Sequence, residues 1–276
     1  NISCTANPVE LESGTIFVQA VRPWELDHYY SRLKLYLQKA NGPIINIIKG
    51  FTGSQRGLIL DDLAHDYELP AERLMAMAGA NYPDQVMERK VTGWEVAGLN
   101  ADPINHICML FSTNYAFTRP ALNPSDVRGV QLGGALKNIY ALGIGLLDGY
   151  YEKSLGGNSD NSLFHISNRM FREMTDLGVA LGGQETTFMG LSGLTDFMHS
   201  CFSQDARDRR YGHDFALGIA DPGKKSPGIF GVRALPSLIS IQPDKYPIMA
   251  AIHAGIVQEA PMEKVLDNVI YQLRRY

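Results

Sequence analysis

The residues best suited to chemistry lie in Gly129–Tyr140, G-V-Q-L-G-G-A-L-K-N-I-Y, where one lysine, Lys137, is set among apolar and small residues. From Val127 to Tyr151 the only other charges are Arg128 and Asp148. Ile139, Leu142, Ile144 and Leu146 follow at spacings that place Lys137 on or near a buried helix face. Burial disfavours an ammonium and makes the amine a candidate for proton transfer. The alternative is a lysine whose stem covers core and whose head reaches water. Two further groups could assist. Lys49 and Asn81 each follow a short apolar run and can meet a ligand there, and Ala206–Arg210 (A-R-D-R-R) is either an anion site or a solvated surface turn.

These residues need a scaffold, and strands and helices alternate in the first half of the chain. Thr15–Val21, Ile44–Ile48 and Leu74–Ala78 read as buried strands, with helices over Trp24–Lys39 and about Gly57–Tyr67 between them. That alternation predicts a parallel sheet covered by helices, with ligands at the carboxyl ends of the strands. A strand at Trp94–Leu99, a helix over Pro103–Ser112 and a strand at Tyr115–Thr118 complete this part. Pro120–Asp126 (P-A-L-N-P-S-D) then marks a boundary, with Ser125 or Asp126 as helix cap. Beyond it the pattern predicts helices at about Val127–Glu152, Asn161–Leu181, Glu185–Phe202, Pro247–Val257 and Pro261–Arg275, and a short strand at Leu238–Ile241. The division expected is 1–123, sheet-containing, and 124–276, helical.

Composition narrows the function. At 276 residues, with 45% hydrophobic and 20% charged residues, the chain has the balance of an ordinary globular protein with a large core. A net charge of −4 argues against a nucleic-acid partner. Cys4, Cys108 and Cys201 are too scattered for a disulfide framework, which suits a reducing compartment. The seven histidines show no metal-ligand spacing, so no metal is assigned. No apolar run is expected to span a membrane.

Gly129–Asn138 closely resembles the motif of NAD-dependent glycerol-3-phosphate dehydrogenases. So do Asp160-Asn161, Thr187–Asp196 (T-F-M-G-L-S-G-L-T-D), Ser200-Cys201 and Arg207–Gly212 (R-D-R-R-Y-G). Lys49-Gly50 and Gly79-Ala80-Asn81 fall in the right order upstream. The resemblance implies a Rossmann-type domain over 1–123, here incomplete, and an all-α domain like the C-terminal domains of 6-phosphogluconate dehydrogenases. The activity implied is interconversion of sn-glycerol 3-phosphate and dihydroxyacetone phosphate with NAD or NADP, in a cytoplasmic protein that supplies phospholipid synthesis; the apolar C-terminal helices make a homodimer the expectation. Lys137 would be the general acid/base, with Lys49 and Asp196 as its catalytic partners. Asn138, Ser200, Arg207 and Asp208 would bind the phosphorylated substrate, and Asn81 and Arg207 the cofactor. Taken alone, Asp196 reads equally as a helix cap and Ser200 as a satisfied helix hydroxyl.

The chain also departs from the family pattern. The sequence has no G-x-G-x-x-G, and Gly133-Gly134 fall inside a predicted helix, so weak or absent NAD binding by this chain is the expectation. Gln131, Leu163, Asp208 and Phe230 replace an acidic residue, a lysine, an asparagine and a glutamate of the family pattern, each expected to touch cofactor or phosphate recognition. Three readings stay open: a glycerol-3-phosphate dehydrogenase, a related dehydrogenase of another phosphorylated or carboxylated hydroxy compound, and a non-catalytic relative. Lys49, Lys137, Asn138, Asp196 and Arg207, all present together, favour the first.

Overall fold

The computed structural model describes residues 7, 9–10, 16–156 and 159–273. Cys4, Thr15 and the end of the expected final helix at Arg274 and Arg275 lie outside them. Five strands form one sheet in the order β1 (Phe17–Gln19), β2 (Ile44–Asn46), β3 (Leu74–Ala78), β4 (Thr92–Ala97), β5 (Ala116–Pro120). All five residues of β3 are buried, as expected of a continuous apolar strand covered on both faces. On one face lie α1 (Leu26–Lys39) and α2 (Ile59–His65), packed through Tyr30, Leu37, Ile59 and Leu63. Ile45, Met75, Met77 and Val96 face α4 (Ala101–Phe111) on the other.

The wholly parallel sheet expected from the alternation is corrected in one place. β1, β2 and β3 run parallel, but β4 runs antiparallel to β3, with Met77 opposite Val96, and β5 then follows β4 in parallel. The link from Gly79 to Val91 carries just the five-residue α3 (Pro83–Met87). So short a helix cannot return the chain across the face of the sheet, and the next strand starts where β3 ends. The carboxyl ends of β1–β3 and the start of β4 therefore meet at one rim.

Beyond Pro120 there is no further strand among the described residues. The short strand expected at Leu238–Ile241 is absent: Leu235–Ser237 is a 3₁₀ turn, and Leu238, Ile239 and Ile241 pack against the helical core. No strand edge is there to pair with, and Pro236 and Pro243 flank the segment. The expected helix over Glu185–Phe202 is broken into α7 (Glu185–Phe188), one π-helical turn (Leu191–Thr195) and α8 (Asp196–Phe202). Two helices escaped the periodicity, α9 (Arg207–Leu217) and α10 (Pro227–Ala234).

The helical part is built around α5 (Val127–Ser154), 28 residues long and buried along nearly its whole length. Length and composition alone would let it cross a membrane, but its apolar window is wholly buried inside the protein. A helix that is apolar all round belongs to a core, and α6 (Asp160–Ala180), α11 (Pro247–Ile256) and α12 (Met262–Leu273) help cover it. Against α9 the two backbones nearly touch. A Cβ on Gly145 would lie 1.9 Å from the Arg209 carbonyl oxygen, and one on Gly212 would lie 2.1 Å from that of Leu142. Asp126 fixes the start of α5, accepting from Gly129 N at 2.8 Å, Gln184 N at 2.9 Å and the Thr187 hydroxyl at 2.6 Å.

A second carboxylate, Glu173 of α6, is buried at the start of α11 and accepts from Ile248 N at 3.0 Å, Met249 N at 2.6 Å and the Tyr140 hydroxyl at 3.2 Å. Burial raises its pKa to about 7, against those hydrogen bonds. The folded protein then holds a proton that the unfolded chain releases from about pH 4.5, so folding stability should fall as pH rises from there to about 7. Glu173→Gln should flatten this limb. It should also destabilise by about 1–3 kcal/mol, because an amide NH₂ would face a donor. Denaturation curves across pH check both.

Candidate active site

At the rim where β1–β3 end, a cleft of about 1050 Å³ separates the sheet from α8–α10. Lys49 enters from the sheet side, just after β2, and Lys137 from α5. Both reach Asp196, which is fully buried at the first turn of α8. Lys137 Nζ donates to Asp196 Oδ1 at 2.9 Å and to the Ser200 hydroxyl at 2.6 Å. Lys49 Nζ lies 2.7 Å from Asp196 Oδ2 as an ion pair, at an angle outside hydrogen-bond geometry, and donates to the Gly79 carbonyl. Gly134 makes room for this: a Cβ there would stand 3.1 Å from Cγ of Lys49.

Two ammonium groups on one carboxylate define the electrostatics. Burial lowers the Lys49 pKa to about 8; Asp196 opposes the shift and Lys137 reinforces it by like-charge repulsion. Burial alone would raise the Asp196 carboxyl, but Lys137 and Lys49 reverse that and hold it below its ordinary range. Asp196 thus stays ionised, and Lys49 titrates in a range useful for proton transfer.

The backbone ahead of Asp196 is positioned by a residue that sequence reading missed. Glu95 of β4 is fully buried and accepts from Leu191 N at 3.0 Å, Ser192 N at 2.9 Å and the Ser192 hydroxyl. It pins the π-helical turn to the sheet, and Asp196 follows directly. A single carboxylate inside the apolar run W-E-V-A was the available signal.

The other expected residues gather along the same cleft. Asn138 is buried beside Lys137 and donates to the Gly134 carbonyl at 3.1 Å. Asn81 donates to the Gly93 carbonyl at 3.1 Å. Arg207 begins α9, exposed to the cleft, with no ion pair or hydrogen bond to any described residue. Asp208 also lines the cleft, but its buried carboxylate faces the start of α10, accepting from the Ser226 hydroxyl at 2.5 Å and Gly228 N at 2.9 Å. Burial raises its pKa in spite of those bonds.

The structure separates the departures from the family pattern. Gln131 accepts from Leu60 N at 3.0 Å, tying α5 to the start of α2, and Leu163 is buried in the helical core. Leu163 is thereby held away from the cleft, which corrects the expectation for it, whereas Gln131 also borders a small cavity with Lys49 and Gly134. Phe230 packs against Trp24 with ring centroids 6.0 Å apart. No cluster of three or more potential metal ligands occurs among the described residues.

The sequence pattern of the NAD-dependent glycerol-3-phosphate dehydrogenase C-terminus matches residues 126–267. The chain belongs to this family. A curated relative named glycerol-3-phosphate dehydrogenase [NAD(P)+] 1, from Lactobacillus delbrueckii subsp. bulgaricus, is 28% identical over 243 residues, 84% of this chain and 67% of the relative. One of the same name from Mycobacterium tuberculosis is 34% identical over 180 residues, 64% of this chain and 48% of the relative. The chain thus spans between about half and two thirds of the length of these relatives. Its fold is that of the glycerol-3-phosphate dehydrogenase of Coxiella burnetii, at a TM-score of 0.81 and 20% identity over 97% of this chain and 80% of that one. The Saccharomyces cerevisiae enzyme gives 0.76 at 18% identity, covering 96% and 78%.

The shared carboxylate yields a test by sign. In an NMR titration of lysine side-chain nitrogens, Lys49 should titrate near pH 8. Lys137→Met should raise that midpoint by removing a like charge, and Asp196→Asn should lower it by removing the counter-charge. Midpoints that stay put in both variants would show the two lysines to be electrostatically independent.

Proposed function

We propose that this chain carries the substrate half of an NAD(P)-dependent oxidoreductase that interconverts sn-glycerol 3-phosphate and dihydroxyacetone phosphate. The carrying observation is the Lys49–Asp196–Lys137 cluster, facing a cleft beside an unpaired Arg207. A ketone oxygen gains negative charge as it is reduced, and the Lys137 ammonium is the group to protonate it. In the oxidative direction the neutral amine takes the proton back. Asp196 and Ser200 aim Lys137, and Lys49 shares the carboxylate from the sheet side. Arg207 holds the phosphate, where a guanidinium can grip two oxygens at once. Asn138 borders the reacting carbon, and Asp208 acts on the substrate through α10, whose start it holds.

The residues present fit the nicotinamide end of a cofactor. Ile47 and Ile48 give the cleft an apolar side at the end of β2, and Asn81 and Arg207 add polar groups. The cofactor, when bound, supplies or accepts the hydride. We read residues 1–123 as the remaining part of the nucleotide-binding domain and 124–276 as the substrate domain. The buried free cysteines Cys108 and Cys201 support a cytoplasmic setting. A homodimer no longer rests on the apolar C-terminal helices, whose Ile248, Met249, Val265 and Leu266 are buried in the core. Its support passes to Met109, Leu110 and Phe117, exposed where α4 packs against the edge strand β5. A role in phospholipid synthesis follows from the product. Asp208 beside the phosphate arginine favours one second reading, another phosphorylated hydroxy compound, which a substrate panel separates.

In the protein with its complete cofactor site, Lys137→Met and Lys137→Arg should each lose about two to four orders of magnitude in turnover with dihydroxyacetone phosphate. Arginine keeps charge but cannot release a proton, so its substrate affinity should suffer less. Arg207→Ala should raise KM more than it lowers kcat. Near-parental turnover in Lys137→Met would move the proton transfer to Lys49.

A further inference from the structure

One titratable side chain in the cleft has no part in this chemistry. His199 lies on α8 between Asp196 and Ser200, and spacings of three and four residues place all three on one helix face. It is half-buried, lines the cleft, and neither ring nitrogen has a hydrogen-bond partner among the described residues. Burial lowers its pKa; Asp196 opposes this, and Lys137 and Lys49 add to it. The ring is therefore a neutral imidazole near pH 7, with one nitrogen able to donate and the other to accept.

Tyr82, just after β3, packs its ring against the imidazole, with centroids 4.1 Å apart and planes at 46°. Its hydroxyl is buried and has no hydrogen-bond partner among the described residues. The ring contact borders the imidazole from the sheet side and limits its rotation.

The placement along the cleft says what His199 meets. α10 begins at the β1–β2 side, where a Cβ on Gly50 would lie 3.2 Å from Pro23 and 3.6 Å from Pro227. Asp208, next to Arg207, is bonded to that same helix start. The Tyr82–His199 pair stands at the other side, toward β3, and the two lysines lie between. In that order, a three-carbon substrate with its phosphate on Arg207 and its central oxygen at Lys137 has its remaining carbon on the His199 side of the cleft.

We propose that His199 recognises the terminal hydroxyl of the three-carbon substrate, with Tyr82 as the positioning residue that orients the imidazole. This rests on the proposed function and adds to it the selection of a hydroxymethyl group over a methyl. A site built to hydrogen-bond a hydroxyl rejects an analogue lacking it, because its own polar group is then left unpaired.

The test is calorimetric binding of dihydroxyacetone phosphate and of acetonyl phosphate, the same ketone without the hydroxyl, to the full chain and four variants. The parent should bind dihydroxyacetone phosphate about tenfold or more tightly than the analogue. His199→Leu should abolish most of that ratio while keeping analogue affinity within about threefold, and His199→Gln should restore part of it. Tyr82→Ala should lower the ratio. Tyr82→Phe should keep it, with folding stability unchanged or higher, since an unsatisfied hydroxyl is removed. Equal affinities in the parent, or equal losses for both ligands in His199→Leu, would overturn the assignment. Failure of the parent to bind either phosphate would instead refute the function on which it rests.

Discussion

Everything at this site depends on one buried carboxylate held between two ammonium groups. Asp196 is inaccessible to solvent and faces Lys137 at 2.9 Å and Lys49 at 2.7 Å. Such clusters are costly to bury and rarely improve stability over an apolar substitute. What this one provides is a fixed geometry and, in Lys49, an ammonium whose pKa burial lowers to about 8. Because Lys49 comes from the sheet and Lys137 from α5, the cluster also closes only when both parts of the chain are packed together.

The surrounding structure serves that geometry. Glu95 reaches from β4 to the π-helical turn, and Asp196 takes its place from that turn. Gly134 lets the stem of Lys49 pass α5, and Gln131 bonds the same helix to the start of α2. On the far wall, Asp208 holds the start of α10, and Arg207 faces the cleft with no ion pair or hydrogen bond to a described residue. A reactive group in a cleft between two packed layers needs such supports on both sides, because small displacements weaken proton transfer sharply.

Much of this was legible in the chain. Lys137, Lys49, Asp196, Ser200 and Arg207 stood out by residue type and by motifs in register, and all line one cleft. The strands and the long helix followed from periodicity, which is a local property. The reversal of β4 was hidden because strand direction depends on what the connecting segment can span, not on the strand's own pattern. Glu95 was hidden because its partners lie 96 and 97 residues away, and Tyr82 and His199 meet across the cleft from different layers. Leu163 was expected at the cofactor or phosphate because its type was visible and its packing was not.

The most direct measurement is a crystal structure with dihydroxyacetone phosphate bound. The C2 oxygen should lie about 3 Å from Lys137 Nζ, in hydrogen-bond reach, with the phosphate on Arg207. A phosphate seated between Lys49 and Lys137, with the carbonyl remote from both, would contradict it. The lysine pair would then be an anion site rather than the centre of proton transfer.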